Sequence, residues 1–261
     1  MDQQEGFLAQ EESSSKLTRY LVGIGAAILF ALIGKPLIQT FFHPRWTAER
    51  VGAELERDPQ MGDVYVALRE NYPADSRRLL EQAAADANAN DMAAADRNAF
   101  LFMRRFTQGK SAAITAAPAD LLHRIAQEYS ALFHVLRNSD PALCGRFVTE
   151  GFRPGDQPPA YALEHVGRLA ALQIRAAHAG ESSGRVARGE LSDRDGAAFG
   201  EAVRANDPAA ARLIADPAAL RAATPERQCD AGTAIYDAAA ELPRETSGNV
   251  VAQLLRDSLR Q

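Results

Sequence analysis

Two residue types and one kind of segment are scarce in this chain, and each scarcity excludes something. Cysteine occurs twice, as Cys144 and Cys229. That separation leaves no C-x-x-C pair, which excludes a thioredoxin-type redox motif and a c-type haem attachment site. Lysine occurs only as Lys16, Lys35 and Lys110; arginine takes its place, scattered along the chain. The formal charge is −5 and has no basic cluster, so no nucleic-acid partner is expected. After Phe42 no second long apolar run follows, which excludes a multi-span membrane protein. Sustained alternation of β-branched residues is also missing, so no sheet is expected.

The common chemical motifs are missing too. His43, His123, His134, His165 and His178 include no H-E-x-x-H or other zinc spacing, although His123 and His134, 11 apart, are spaced to share a helix face. Gly109-Lys110-Ser111 resembles the end of a phosphate loop, but that loop needs glycine where Arg104 stands and a strand before it. Gly180-Glu181-Ser182-Ser183-Gly184 does not have the spacing of a nucleophile elbow. Ser13 and Lys16 match S-x-x-K with no fold around them. No cofactor and no metal are expected.

What the sequence does have is one apolar run near its start. Tyr20–Gly34 carries no charge, Lys35-Pro36 interrupts it, and residues 37–42 complete it. At 1.5 Å per residue it reaches roughly 34 Å, enough to cross a bilayer core of about 30 Å. No small-x-small cleavage site follows, so the run reads as an uncleaved transmembrane helix. Phe41, Phe42 and Trp46 sit at its far edge, where aromatic rings favour the membrane interface. Gly23, Ala27, Ala31 and Gly34 fall on one face of this helix. Small residues so spaced let a second transmembrane backbone approach. The expected layout is a disordered cytoplasmic tail over residues 1–16, an anchor over 17–42 and a soluble helical part over 43–261.

The soluble part reads as all-α, an irregular bundle of about ten short helices. A cap residue followed by proline recurs at Asp58-Pro59, Asp140-Pro141, Asp207-Pro208, Asp216-Pro217 and Thr224-Pro225. The side-chain oxygen can accept from orphan N–H groups, and proline at the first helical position has no N–H to leave unpaired. Apolar residues then recur at helical spacing. The clearest series is Leu121, Leu122, Ile125, Tyr129, Leu132, Phe133 and Leu136. Others are Val64–Tyr72, Leu79–Ala83, Phe100–Phe106, Leu163–Ile174 and Val250–Leu259. Gly151–Pro159 and Gly180–Gly189 read as loops, the second of them mobile.

Basic residues flanking the anchor give a weak bias that slightly favours the C-terminal side as cytoplasmic. The cysteines pull the other way: both lie just inside expected helix starts, and one disulfide suits an oxidising compartment. A Cys144–Cys229 bond would close a loop of about 85 residues, worth up to about 4–5 kcal/mol in the chain-entropy model. These features imply an inner-membrane, single-pass protein with a periplasmic C-terminal domain. Its partners would be the lipid bilayer and a membrane or envelope protein, or a second copy of itself. The expected role is an interaction or assembly module. The alternative is an envelope hydrolase using carboxylates near Glu150, whose neighbours Phe147 and Phe152 could raise its pKa by desolvation. A sensory ligand-binding domain fits less well, because the short tail has no room for an output domain.

Overall fold

Most helix starts in this protein are closed by the residue just before them. The computed structural model describes residues 45–259, apart from residues 154, 155, 157 and 183. These residues form thirteen helices and no strand. In chain order they are α1 (Ala48–Arg57), α2 (Gly62–Asn71), α3 (Pro73–Asn88), α4 (Met92–Gly109), α5 (Ser111–Thr115), α6 (Ala119–Ser139) and α7 (Pro141–Glu150). After these come α8 (Ala160–Glu181), α9 (Asp193–Asn206), α10 (Pro208–Ile214), α11 (Pro217–Ala222), α12 (Pro225–Glu241) and α13 (Arg244–Leu259). The expected tail and anchor, with the ridge Gly23, Ala27, Ala31 and Gly34, lie outside the described residues. No helix among the described residues is long and apolar enough to cross a membrane.

Four of the five expected cap–proline starts form as read, and Thr47, Asp91 and Ser192 cap α1, α4 and α9 without having been anticipated. Asp140, Asp207, Asp216 and Thr224 each accept from backbone N–H groups of the helix that follows, and proline occupies the first helical position. Each such cap is worth about 1 kcal/mol. Asp58 differs. Its carboxylate accepts from the N–H groups of Gln60 and Met61, both at 2.8 Å, so Pro59 lies in a turn and α2 starts only at Gly62. The structure has more helices than the ten or so expected. Three of them, α5, α10 and α11, have only five to seven residues. Segments that short do not show a 3.6-residue period.

Helix α6 is the axis of the core. Leu122, Ile125, Ala126, Tyr129, Leu132, Phe133 and Leu136 are fully buried along its length. Around it pack α7, α8, α12 and α13, while α2 and α5 lie against α8. A row of aromatic rings crosses this core. Tyr129 stacks on Tyr236 at 4.4 Å, Tyr236 on Phe133 at 5.5 Å, and Phe147 on Phe152 at 4.4 Å, with Phe133 and Phe147 5.4 Å apart. Such pairs add about 0.5–1.5 kcal/mol each beyond the area they bury. One apolar cluster runs from Met61 to Leu255. A smaller one, Val51, Tyr65, Leu80, Ala83 and Ala84, joins α1 to α2 and α3. Trp46 packs on this small cluster, and its backbone exchanges two hydrogen bonds with the Asn88 side chain at 2.8 and 2.9 Å. Leu101, counted with the apolar series of α4, is 40% exposed.

A close backbone contact joins α7 to α12. Cys144 and Cys229 have Cα atoms 5.2 Å apart, with their sulfurs at disulfide-bonding distance. Beside them, a Cβ on Gly145 would lie 2.6 Å from the Cα of Pro225. One turn further along α12, a Cβ on Gly232 would lie 2.7 Å from the Phe133 ring. The two helices touch through backbone, and only glycine allows it. Gly145→Ala should therefore cost at least about 1–3 kcal/mol in a denaturant titration of the full chain, the usual cost of overpacking. Gly109→Ala is the control: its new Cβ meets nothing within 4 Å. That variant should be neutral or gain up to about 1 kcal/mol from helix propensity. A neutral Gly145→Ala would mean that α7 and α12 do not meet this closely in solution.

Candidate functional site

The segment between α8 and α9 reads as a mobile loop in sequence, yet the structure holds much of it in place. Gly180 and Glu181 belong to α8, so the connection is shorter than expected. The N–H of Val186 donates to the carbonyl of Ala116 at 2.8 Å, just after α5. Arg188 reaches the same helix end. Its Nη1 donates to the carbonyls of Thr115 at 3.2 Å and Ala117 at 2.5 Å, and its Nε donates to Asn249 Oδ1 at 3.2 Å. Those carbonyls have no partner within the helix, and a cation suits the negative end of the helix dipole. Arg256, from α13, closes the loop from the other side. Its Nη1 donates to the carbonyl of Gly189 at 3.0 Å and its Nη2 to that of Arg188 at 3.4 Å.

These contacts frame an open cavity of about 470 Å³. Three arginines line it, Arg185, Arg188 and Arg256, together with Ser111 and Thr115; no acidic residue does. Among the described residues none of these arginines forms an ion pair. Arg188 Nη2 is buried without a hydrogen-bond partner. Burial pushes the Arg188 guanidinium below its ordinary range, Glu245 pulls the other way, and Arg256 adds to the lowering. The position of a cation that is partly desolvated and has no ion-pair partner among the described residues favours an anion.

The other polar clusters link helices to one another. Ser130 Oγ donates to Asp237 Oδ1 at 2.5 Å, and His134 Nε2 lies 3.1 Å from both Asp237 oxygens. Serine, histidine and aspartate are all present, but the acid sits between the other two, so the histidine has no access to the serine proton. His123 Nδ1 lies 2.9 Å from Ser247 Oγ, and Gln127 Nε2 lies 3.1 Å from His123 Nε2. With the Gln127 amide donating, Nε2 is the acceptor and Nδ1 carries the proton toward the serine. An imidazole in that form cannot take the Ser247 proton, and Ser247 is fully buried. Glu128 Oε1 holds His165 at 2.6 Å and Arg168 at 2.9 Å, tying α6 to α8. Lys110 pairs with Glu181 at 2.8 Å, which also accepts from Tyr72 Oη at 2.8 Å.

The residues singled out in sequence are thus dispersed. Cys144 and Cys229 are brought together. His123 and His134 sit on one helix but face α13 and α12 separately. Glu150 is exposed and paired with Arg153, while the two phenylalanines that were to desolvate it stack on each other. Among the described residues no group of three or more His, Cys, Asp or Glu is placed to hold a metal ion. The arginine cavity was not anticipated. Its lining comes from three distant segments, and no local spacing announces it. Comparison with protein-family models, curated proteins and solved structures gave no match.

His123 makes the site clusters testable by pH. Burial, then the nearby Arg244 charge, lower its pKa below the ordinary value of about 6.5. The folded state therefore resists protonating it. Its contribution to stability is full above about pH 6.5 and is lost as pH falls from there through the folded value. In urea titrations at pH 7.5, 6.5 and 5.5, His123→Gln should lose less stability on acidification than the wild type. Parallel pH curves for the two proteins would remove His123 from this account.

Proposed function

We propose that the chain is a single-pass inner-membrane protein whose helical domain stands in the periplasm and works as a binding or assembly module of the envelope. One observation supports the binding role: the cavity between α5, α13 and the loop after α8 is lined by three arginines and no acidic residue. Convergent carboxylates would favour a hydrolase. Convergent arginines favour capture of an anionic group. The setting of Glu150, exposed and ion-paired, gives the hydrolase reading no support.

The compartment rests on two other features. The apolar run over residues 20–42 has the length of a membrane span. The cysteines, the only two in the chain, lie at disulfide-bonding distance, which suits an oxidising space. Gly23, Ala27, Ala31 and Gly34 give the anchor a ridge through which a second copy or a partner helix can pack. The clamp of Trp46 on Asn88 would place the domain directly against the end of the anchor, with little linker between them.

Two measurements test this reading. Alkaline phosphatase fused after the last residue should be active, and a fluorescent protein that folds only in the cytoplasm should be dark there. The reverse result would place the domain in the cytoplasm. Separately, the protein purified without reductant should show no free thiol, and Cys229→Ala should melt earlier than the wild type. Closure of a loop of 85 residues is worth up to about 4–5 kcal/mol in the chain-entropy model, so the effect should be plain. Two freely reactive thiols in the native protein would count against both the bond and the compartment.

A further inference from the structure

We propose that the arginine cavity is a binding site for a phosphate-class oxyanion carried on a small organic group. The inference rests on the binding-module reading but not on its compartment. Topology and ligand binding are read by separate experiments, so either can fail alone.

The donor count comes first. An arginine has five N–H donors. Arg188 uses Nε on Asn249 and Nη1 on two carbonyls at the end of α5, which leaves Nη2 buried and unpaired. A buried unpaired donor on a charged group is costly, and a turn of the guanidinium onto an anion in the cavity would relieve that cost. Charge comes next. Three arginines line one cavity, and the carboxylates nearby do not cancel their charge. Glu245 acts on Arg188 only through its field, and Asp195 is one step removed, accepting from the Asn249 amide at 3.0 Å. A dianion matches such a set better than a single carboxylate, and guanidinium forks fit phosphate oxygens two at a time. Ser111 in the wall adds a hydroxyl donor. Size is the last argument. The volume of about 470 Å³ falls within the range of small-molecule sites, about 300–1,000 Å³. A bare phosphate would leave most of it empty. Val186, 38% exposed in the same wall, offers apolar surface to the organic part.

This chemistry has two sources, a soluble phosphate ester and a phospholipid headgroup. The test uses the full chain in phosphatidylcholine nanodiscs, titrated calorimetrically with glycerol 3-phosphate and with inorganic phosphate at fixed ionic strength. Saturable binding at one site is expected, with glycerol 3-phosphate the tighter ligand. Arg185→Gln and Arg188→Gln should each weaken it about tenfold, the loss of one charge-assisted contact. Arg188→Gln also removes bonds to α5, so its melting temperature is measured alongside. Arg185→Gln carries no such risk, because the Arg185 side chain is exposed and makes no polar contact with the described residues. Discs of mixed phosphatidylcholine and phosphatidylglycerol separate the sources. If the headgroup fills the cavity, glycerol 3-phosphate binds more weakly in the mixed discs, and Arg185→Gln abolishes the difference. Unchanged affinity there assigns the site to a soluble ester. Absence of saturable binding in every disc, or binding that neither arginine variant weakens, would overturn the proposal.

Discussion

The backbone contact between α7 and α12 constrains most of the remaining structure. Thr224 and Pro225 fix where α12 begins, and Pro225 rests on Gly145 without an intervening side chain. With that start pinned, the register of everything further along the helix is determined. Cys229 arrives one turn later, opposite Cys144. Gly232 then passes under Phe133 and Val148, which lets Tyr236 slide between the rings of Tyr129 and Phe133. A bulkier residue at position 145 or 232 would lift α12 away from the core and break the aromatic row at the same time. The cysteine pair secures a contact that glycine has already made possible. Packing this close is gained only when both surfaces are small, because voids and overlaps at a helix interface are both costly.

Helix α6 is bound in two ways on adjacent faces. Its apolar stripe is wholly buried and supplies the attraction. Beside the stripe, His123, Gln127, Ser130 and His134 follow at spacings of four, three and four, which is one face of a helix. Two of these positions pair with Asp237 of α12, and one pairs with Ser247 of α13. Glu128, turned to another side, binds His165 and Arg168 of α8. Part-buried hydrogen bonds of this kind each contribute about 0.5–1.5 kcal/mol net. Their effect is angular: each bond fixes the rotation of α6 against a different neighbour. The residues that look catalytic by type are therefore occupied in holding helices, and their hydrogen-bond directions show it.

Much of this architecture was legible in the sequence, because the signals are local. A cap and a proline describe a helix start within three residues, and the stripes describe a buried face within two turns. Where the reading departed from the structure, a local signal had a second solution. Asp58 meets the same orphan N–H groups by closing a turn ahead of α2 instead of capping it directly. Leu101 follows Phe100 immediately, and consecutive helical residues point about 100° apart, so on a helix with a narrow buried stripe the second falls outside it. The Gly180–Gly189 segment has the composition of a free loop. Composition does not register that Val186 and Arg188 find carbonyls more than 65 residues away. The cavity was illegible for the same reason: its arginines converge only after α5, α8 and α13 have packed.

The arginine cavity follows from how the helices end. Helix α5 meets the carbonyls of Ser111 to Ile114 itself, through the Thr115 hydroxyl and the N–H groups of Ala116 and Ala117, and leaves those of Thr115, Ala116 and Ala117 to donors from elsewhere. The loop after α8 supplies them from a distance, with an N–H from Val186 and two donors from Arg188. A neutral amide could have done the same work. Arginine adds a full charge and more donors than the carbonyls require. The surplus has to go somewhere, and the nearest groups do not absorb it: Asn249 takes one bond, and Arg256 brings a second positive charge against the first. A solution that serves the helix end alone would not gather like charges around a hollow. The arrangement becomes economical only if an anion completes it, which is why capping α5 and binding a ligand are best understood as one design.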